Sequence, residues 1–98
     1  MGTEESKRQI EILKAMAHPI RLGVLRRLAT DPDTCACDFT EVFGVAQPTI
    51  SAHLRTLREA GLVTTRREGT TICYSLAPDA LRPLTELLGE LMGAPVAA

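Results

Sequence analysis

Three cysteines, at 35, 37 and 73, carry the softest chemistry in this 98-residue chain. Two of them stand two residues apart in CACDF, residues 35–39. Inside a regular helix, side chains at i and i+2 point about 200° apart and cannot share one small ion. They converge if Cys35 is a non-helical N-cap and Cys37 lies in the first helical turn. The Asp31-Pro32-Asp33 loop before them and Asp38 and Glu41 after them favour that placement. A helix N-terminus also lowers a thiol's pKa toward the thiolate that a soft ion binds. The alternative is a pair of structural cysteines, since free Cys packs as a small hydrophobe. Cys73 alternates with Ile72 and Tyr74, so if those two face the core, Cys73 faces outward. An odd thiol count argues against a disulfide framework and for thiol or metal chemistry.

Basic side chains form the second chemical group, and they are segregated. Residues 18–30 hold Arg21, Arg26 and Arg27 and no acid, whereas 31–43 hold Asp31, Asp33, Asp38 and Glu41 and no base. Residues 44–71 are basic again through Arg55, Arg58, Arg66 and Arg67. A net charge of -1 would argue against nucleic acid, yet a local basic stripe can still meet phosphates. The segment AQPTISAHLRTLREAG places Ile50, Leu54 and Leu57 on one helical face, with Pro48, Thr49, Ala52, Arg55, Thr56 and Glu59 opposite. Gln47 and Ser51 lie at the edge near its start. Small polar residues at a helix N-terminus can enter a major groove, and Gln can pair bidentately with adenine. Arg55 can reach a base or a phosphate. The alternative is a solvated face that binds nothing. His53 is placed equally well to touch a phosphate or to pack inward, and His18 is a junction residue before a helix proline.

The elements that must hold these groups follow from periodicity. At this length folding buries roughly two-thirds of the chain's surface, enough for one core and a single domain spanning 1–98. Aromatics make up only 3%, so that core is Leu, Ile, Val and Ala. Ile10, Leu13 and Ala17 share the face of a first helix, which His18-Pro19 breaks. Ile20, Val24, Leu25 and Leu28 stripe a second helix. Phe39, Val42 and Phe43 form a short third helix closed by Gly44, and the 46–60 helix is closed by Gly61. The period then changes to two: Val63 and Thr65 run out, Arg67-Glu68-Gly69-Thr70 turn, and Ile72, Tyr74 and Leu76 return. A last amphipathic helix, 79–92, carries Leu81, Leu84, Leu87, Leu88 and Leu91. The expected fold is mainly α with a β-hairpin wing: a winged helix-turn-helix in the order helix, helix, helix, helix, hairpin, helix. Arg66 and Arg67, at the wing tip, would fall on flanking phosphates.

In AHPIRLGVLRRLA, CACDF, FGVAQPTISAHLRTLREAGLV and RREGTTICYSL the chain resembles the ArsR/SmtB family of bacterial metal-responsive repressors across residues 17–76. The resemblance implies that VAQPTISAHLRTLR contacts DNA, which gives Gln47, Thr49, Ser51, His53 and Arg55 that role by position. It also implies dimerisation through the first and last helices. CACDF is similar to the family's arsenic(III)/antimony(III) site, patterned C-x-C-D-L-C, with Cys35 and Cys37 matching its first two cysteines. Thr40 stands where the third would be. Ala46 replaces the family's usual Ser or Thr N-cap, which removes about 1 kcal/mol of capping. The terminal helix has no His and only Asp79, Glu86 and Glu90, so the family's alternative zinc site there is not expected.

The function expected is therefore that of a homodimeric repressor on double-stranded, pseudo-palindromic operator DNA, released by a thiophilic ion, with arsenite or antimonite foremost. Two recognition helices would read half-sites ~34 Å apart. Two thiolates leave arsenic(III) one sulfur short. An exogenous third ligand is favoured over Cys73, which the wing would keep beside the recognition helix. The rival readings are another metal (Cd, Pb, Zn, Ni), thiol oxidation or no small signal, and beyond these a protein-interaction module. No enzyme is expected: G-x-S-x-G, P-loop and H-E-x-x-H patterns are absent, and no organic cofactor is implied. No apolar run approaches the ~18 residues of a membrane span, and the first residues hold no signal-type apolar stretch, so a cytoplasmic protein is expected.

Overall fold

The computed structural model describes residues 3–93. Helix α1 (Thr3–Met16) starts with Glu4 and Glu5 and ends near Lys14, charges that suit its two ends. It stops where Pro19 opens α2 (Pro19–Thr30). His18 caps α2, its Nδ1 accepting the Ile20 N–H at 3.0 Å. The junction role expected for His18 is thus a capping role.

A turn at 31–33 leads to β1 (Thr34–Cys35), a two-residue strand that the sequence pattern did not announce. Cys35 then caps α3 (Ala36–Phe43) with extended backbone, as expected, and without a side-chain cap bond. Gly44 ends α3 at φ +64, a left-handed conformation that glycine adopts without steric cost. The chain re-enters a helix as α4 (Gln47–Glu59), whose cap residue Ala46 makes no side-chain cap bond. Strands β2 (Val63–Glu68) and β3 (Thr71–Leu76) form the wing, and α5 (Arg82–Met92) closes the described chain. Ala94-Pro95, which with Gly93 form the sequence's stop signal for the last helix, lie outside the described residues.

Two boundaries differ from expectation. The wing turn is tighter, with β2 running through Glu68 before Gly69-Thr70. The last helix starts three residues late, because Asp79 sits at φ +60 and cannot be helical there.

Helices and wing share one core. Ile12, Val24, Leu28, Phe39, Ile50, Leu54, Leu57 and Leu62 are its fully buried side chains, with Leu84 of α5 packed at its margin. Gly23 permits the closest approach: a Cβ there would lie 2.6 Å from the Phe43 ring. The buried Gln9 donates to the Pro83 carbonyl at 3.3 Å, tying α1 to α5. The sheet is antiparallel and three-stranded, in the order β1-β3-β2. Its register sets Cys35 opposite Cys73 and Arg66 opposite Cys73 from the other side. The wing is therefore anchored to the start of α3 as well as following α4. No helix among the described residues is long and apolar enough to cross a membrane.

Candidate nucleic-acid interface and thiol site

Helix α4 buries Ile50, Leu54 and Leu57, as its period requires. Gln47, Thr49, Ser51 and Arg55 are exposed on its outer side. Pro48 in the first turn donates no N–H, and none is needed at a helix start. The result is a small-polar helix N-terminus open to an approaching ligand, beside the groove that separates it from the wing. That groove is lined by Ala36, Cys37, Gln47, Ser51, Thr70, Thr71, Ile72 and Tyr74.

His53 leaves this outer stripe. Its ring lies 4.2 Å from that of His18, and its Nδ1 is 3.1 Å from an Arg21 guanidinium nitrogen. Arginine can only donate, so Nδ1 accepts and His53 is neutral with its proton on Nε2. Burial, then the neighbouring His18 and Arg21, hold its pKa below the ordinary value. Of the two placements open to His53, the inward one is found. Arg21 also donates to the Ala15 carbonyl at 2.6 Å and the Lys14 carbonyl at 3.3 Å, capping the C-terminal end of α1. One arginine thus ties α1, α2 and α4 together.

Arg66 and Arg67 part company. Arg67 is exposed near the turn. Arg66 is not at the tip: its guanidinium makes a two-pronged pair with Asp33, at 3.1 and 2.7 Å, and lies 3.6 Å from Glu68. The pairing lowers the Asp33 pKa, with the Arg66 hydrogen bond as the main cause. Asp33 adopts φ +64, and its own N–H donates to Ser75 Oγ at 2.9 Å. The loop before β1 is thereby clamped to both wing strands.

The largest departure concerns the thiols. Cys73 does not face outward. It is 3% exposed, and its Sγ lies 3.3 Å from Cys35 Sγ, one thiol donating to the other. Strand β1 causes this by drawing β3 to the start of α3. Cys37, by contrast, is exposed in the first turn of α3 and faces the groove beside Gln47 and Ser51. The thiol contact, followed by burial, pushes the Cys35 pKa up to about 11. The helix start does not dominate there, contrary to the expectation of a lowered value. Among the described residues no three His, Cys, Asp or Glu side chains gather as a metal cage. Two thiols meet and the third stands apart.

Residues 18–65 match the family model described as "Bacterial regulatory protein, arsR family". An uncharacterized HTH-type transcriptional regulator of Methanocaldococcus jannaschii is 38% identical over 88 residues, covering 90% of this chain and 99% of its own. The arsenical resistance operon repressor of Bacillus subtilis is 38% identical over 71 residues, 72% of this chain and 68% of its own. Among solved structures, HlyU from Vibrio cholerae superposes with a TM-score of 0.75 at 34% identity, covering 93% of this chain and 97% of that one. The likeness runs through helices, turn and wing in one order, and the chain belongs to the ArsR family of DNA-binding transcriptional regulators, which are not enzymes.

Proposed function

We propose that this chain is a homodimeric repressor that leaves its operator when trivalent arsenic or antimony binds its thiols. The observation that carries the reading is the contact between Cys35 and Cys73 at the start of α3, the first helix of the helix-turn-helix. Soft thiolate donors suit a thiophilic ion, and the B. subtilis relative is named for arsenical resistance. Each thiol displaces one hydroxyl of the trivalent acid as water, with no change of oxidation state. Cys35 and Cys73 supply two sulfurs, and Cys37 supplies the third once the first turn of α3 unwinds toward them. An internal third ligand replaces the exogenous one favoured by sequence alone, because Cys73 is already beside Cys35.

Unwinding that turn disturbs the groove that Cys37 shares with Gln47 and Ser51. On DNA, Gln47, Thr49, Ser51 and Arg55 face the bases and nearby backbone, and Arg67 faces a flanking phosphate. His53 supports α4 from behind. Ion and DNA then compete through the same few residues, with a coupling of the usual 1–3 kcal/mol or more.

The test is release from operator DNA under arsenite, antimonite, cadmium, lead, zinc and nickel. Arsenite and antimonite should act at the lowest concentrations. Cys35→Ser, Cys37→Ser and Cys73→Ser should each bind DNA and fail to release it. A normal arsenite response in Cys73→Ser would remove the wing from the site, and a normal response in all three would end the metalloid reading.

A further inference from the structure

The ladder that anchors the wing also creates a bonding opportunity between sulfurs. Residues directly opposed across antiparallel strands have Cα atoms about 4.5 or 5.5 Å apart, according to their hydrogen bonding. Disulfides span Cα separations of about 4.4–6.8 Å, so either spacing admits one. Cys35 and Cys73 are such an opposed pair, with their Sγ atoms 3.3 Å apart. Side-chain rotation alone closes the remaining gap. We infer that Cys35 and Cys73 are a reversible oxidation site, a dithiol in the reduced protein and a β1–β3 disulfide after two-electron oxidation by a hydroperoxide.

Within the pair that meets, exposure sets the order of events: Cys35 is half-buried and Cys73 is buried, so the peroxide reaches Cys35 before Cys73. The Cys35 sulfur attacks one peroxide oxygen, the O–O bond breaks, and an alcohol (water, from hydrogen peroxide) leaves with a sulfenic acid on Cys35. The Cys73 sulfur then attacks Cys35 Sγ, the S–O bond breaks, and the hydroxyl departs as water with the Cys73 proton. Two thiols lose two electrons and two protons, and the peroxide takes up both. Cys37 is open to peroxide as well, but among the described residues no second thiol lies against it, so it stays outside the cross-link.

The consequence for regulation rests on the metalloid reading above. A disulfide occupies both sulfurs that meet, so the oxidised protein holds DNA but no longer hears the ion. The strands are already in register, so β1, β3 and α3 keep their places on oxidation.

The test treats full-length wild-type protein with one equivalent of hydrogen peroxide, blocks free thiols with N-ethylmaleimide and maps the peptides by mass spectrometry. The expected product is monomer-internal Cys35–Cys73, with Cys37 outside the cross-link and full reversal of the disulfide by dithiothreitol. Cys37→Ser should give the same cross-link. A free, alkylated Cys73, a Cys35–Cys37 or Cys37–Cys73 link, or an intermolecular Cys37 bridge would overturn the inference. In gel shifts, the oxidised protein should keep its DNA affinity while the arsenite needed for half-release rises by about tenfold or more, equivalent to about 1.4 kcal/mol. An unchanged arsenite requirement would overturn the regulatory consequence. If reduced protein ignores arsenite, the metalloid reading fails, and the mapped disulfide still stands or falls by itself.

Discussion

His53 can accept from Arg21 only while its Nδ1 is unprotonated. Its pKa in the folded chain lies below the ordinary 6.5, so the unfolded chain takes up this proton first as pH falls. Stability from this group is complete above pH 6.5 and declines below it, until the folded histidine also titrates. His53→Gln keeps an acceptor and removes the titration. Urea midpoints measured from pH 7.5 to 5 should therefore fall less in His53→Gln than in wild type, and parallel curves would show that His53 is not the responsible group. Asp33 works in the opposite range. Its depressed pKa lends stability above the carboxylate's ordinary 3.8, lost only as pH falls through the lower folded value. Neither effect is visible from residue type alone, because His53 sits among outward-facing neighbours in sequence and is turned inward by Arg21 and His18.

Helix α4 begins without a side-chain cap, since Ala46 offers none. Ala46→Ser supplies an oxygen for the Thr49 N–H and should stabilise the DNA-free protein by about 1 kcal/mol, read as a higher urea midpoint at unchanged m. An unchanged midpoint would mean that the Ala46 carbonyl, which already accepts the Thr49 N–H at 3.0 Å, serves that amide equally well. The helices were legible because Ile50, Leu54 and Leu57, like Val24, Leu25 and Leu28, repeat with helical spacing over several turns. The hairpin was legible from the change of period to two. Strand β1 was not, because two residues hold no period, and its absence turned Cys73 the wrong way in the reading of the wing. Arg66 was misplaced for a related reason: its partner Asp33 is 33 residues away, in a loop whose position depends on β1. The chemistry of CACDF could be read from sequence, but not which thiol meets which.

At the scale of the molecule, the described chain is elongated, 44 × 22 × 21 Å. Ile10 and Leu13 of α1 and Leu88 and Leu91 of α5 remain exposed, while α1 and α5 pack against each other and Ile12, Ala15 and Leu84 join the common core. The first-helix stripe of Ile10 and Leu13 thus faces away from the chain's own core. Covering it with a second copy is the dimer of the proposed function. Leu91, 74% exposed, can be changed without disturbing the protomer's core. Leu91→Glu should therefore leave the helical signal intact and shift sedimentation toward monomer at micromolar protein. A wild-type monomer under those conditions would remove the paired recognition helices. Salt dependence checks the wing. Arg67→Ala should lower the slope of log K against log salt by about 1, as for one lost phosphate contact. Arg66→Ala should lower it less, because Asp33 already neutralises Arg66. Equal changes would mean that the clamp opens on DNA.

Strand β1 has a further consequence, for folding order and local opening. Its partner lies 38 residues away in the chain, so this pairing closes a long loop after local helices can already form. It sits at a sheet edge and is two residues long. Cooperative units with few bonds open at far lower free energy than core helices. Backbone amides of 34 and 35 should thus exchange with deuterium well before those of Leu54 and Leu57. The thiol pair would then live on a hinge that breathes while α4 stays shut, giving a solute access to Cys73 without unfolding that helix.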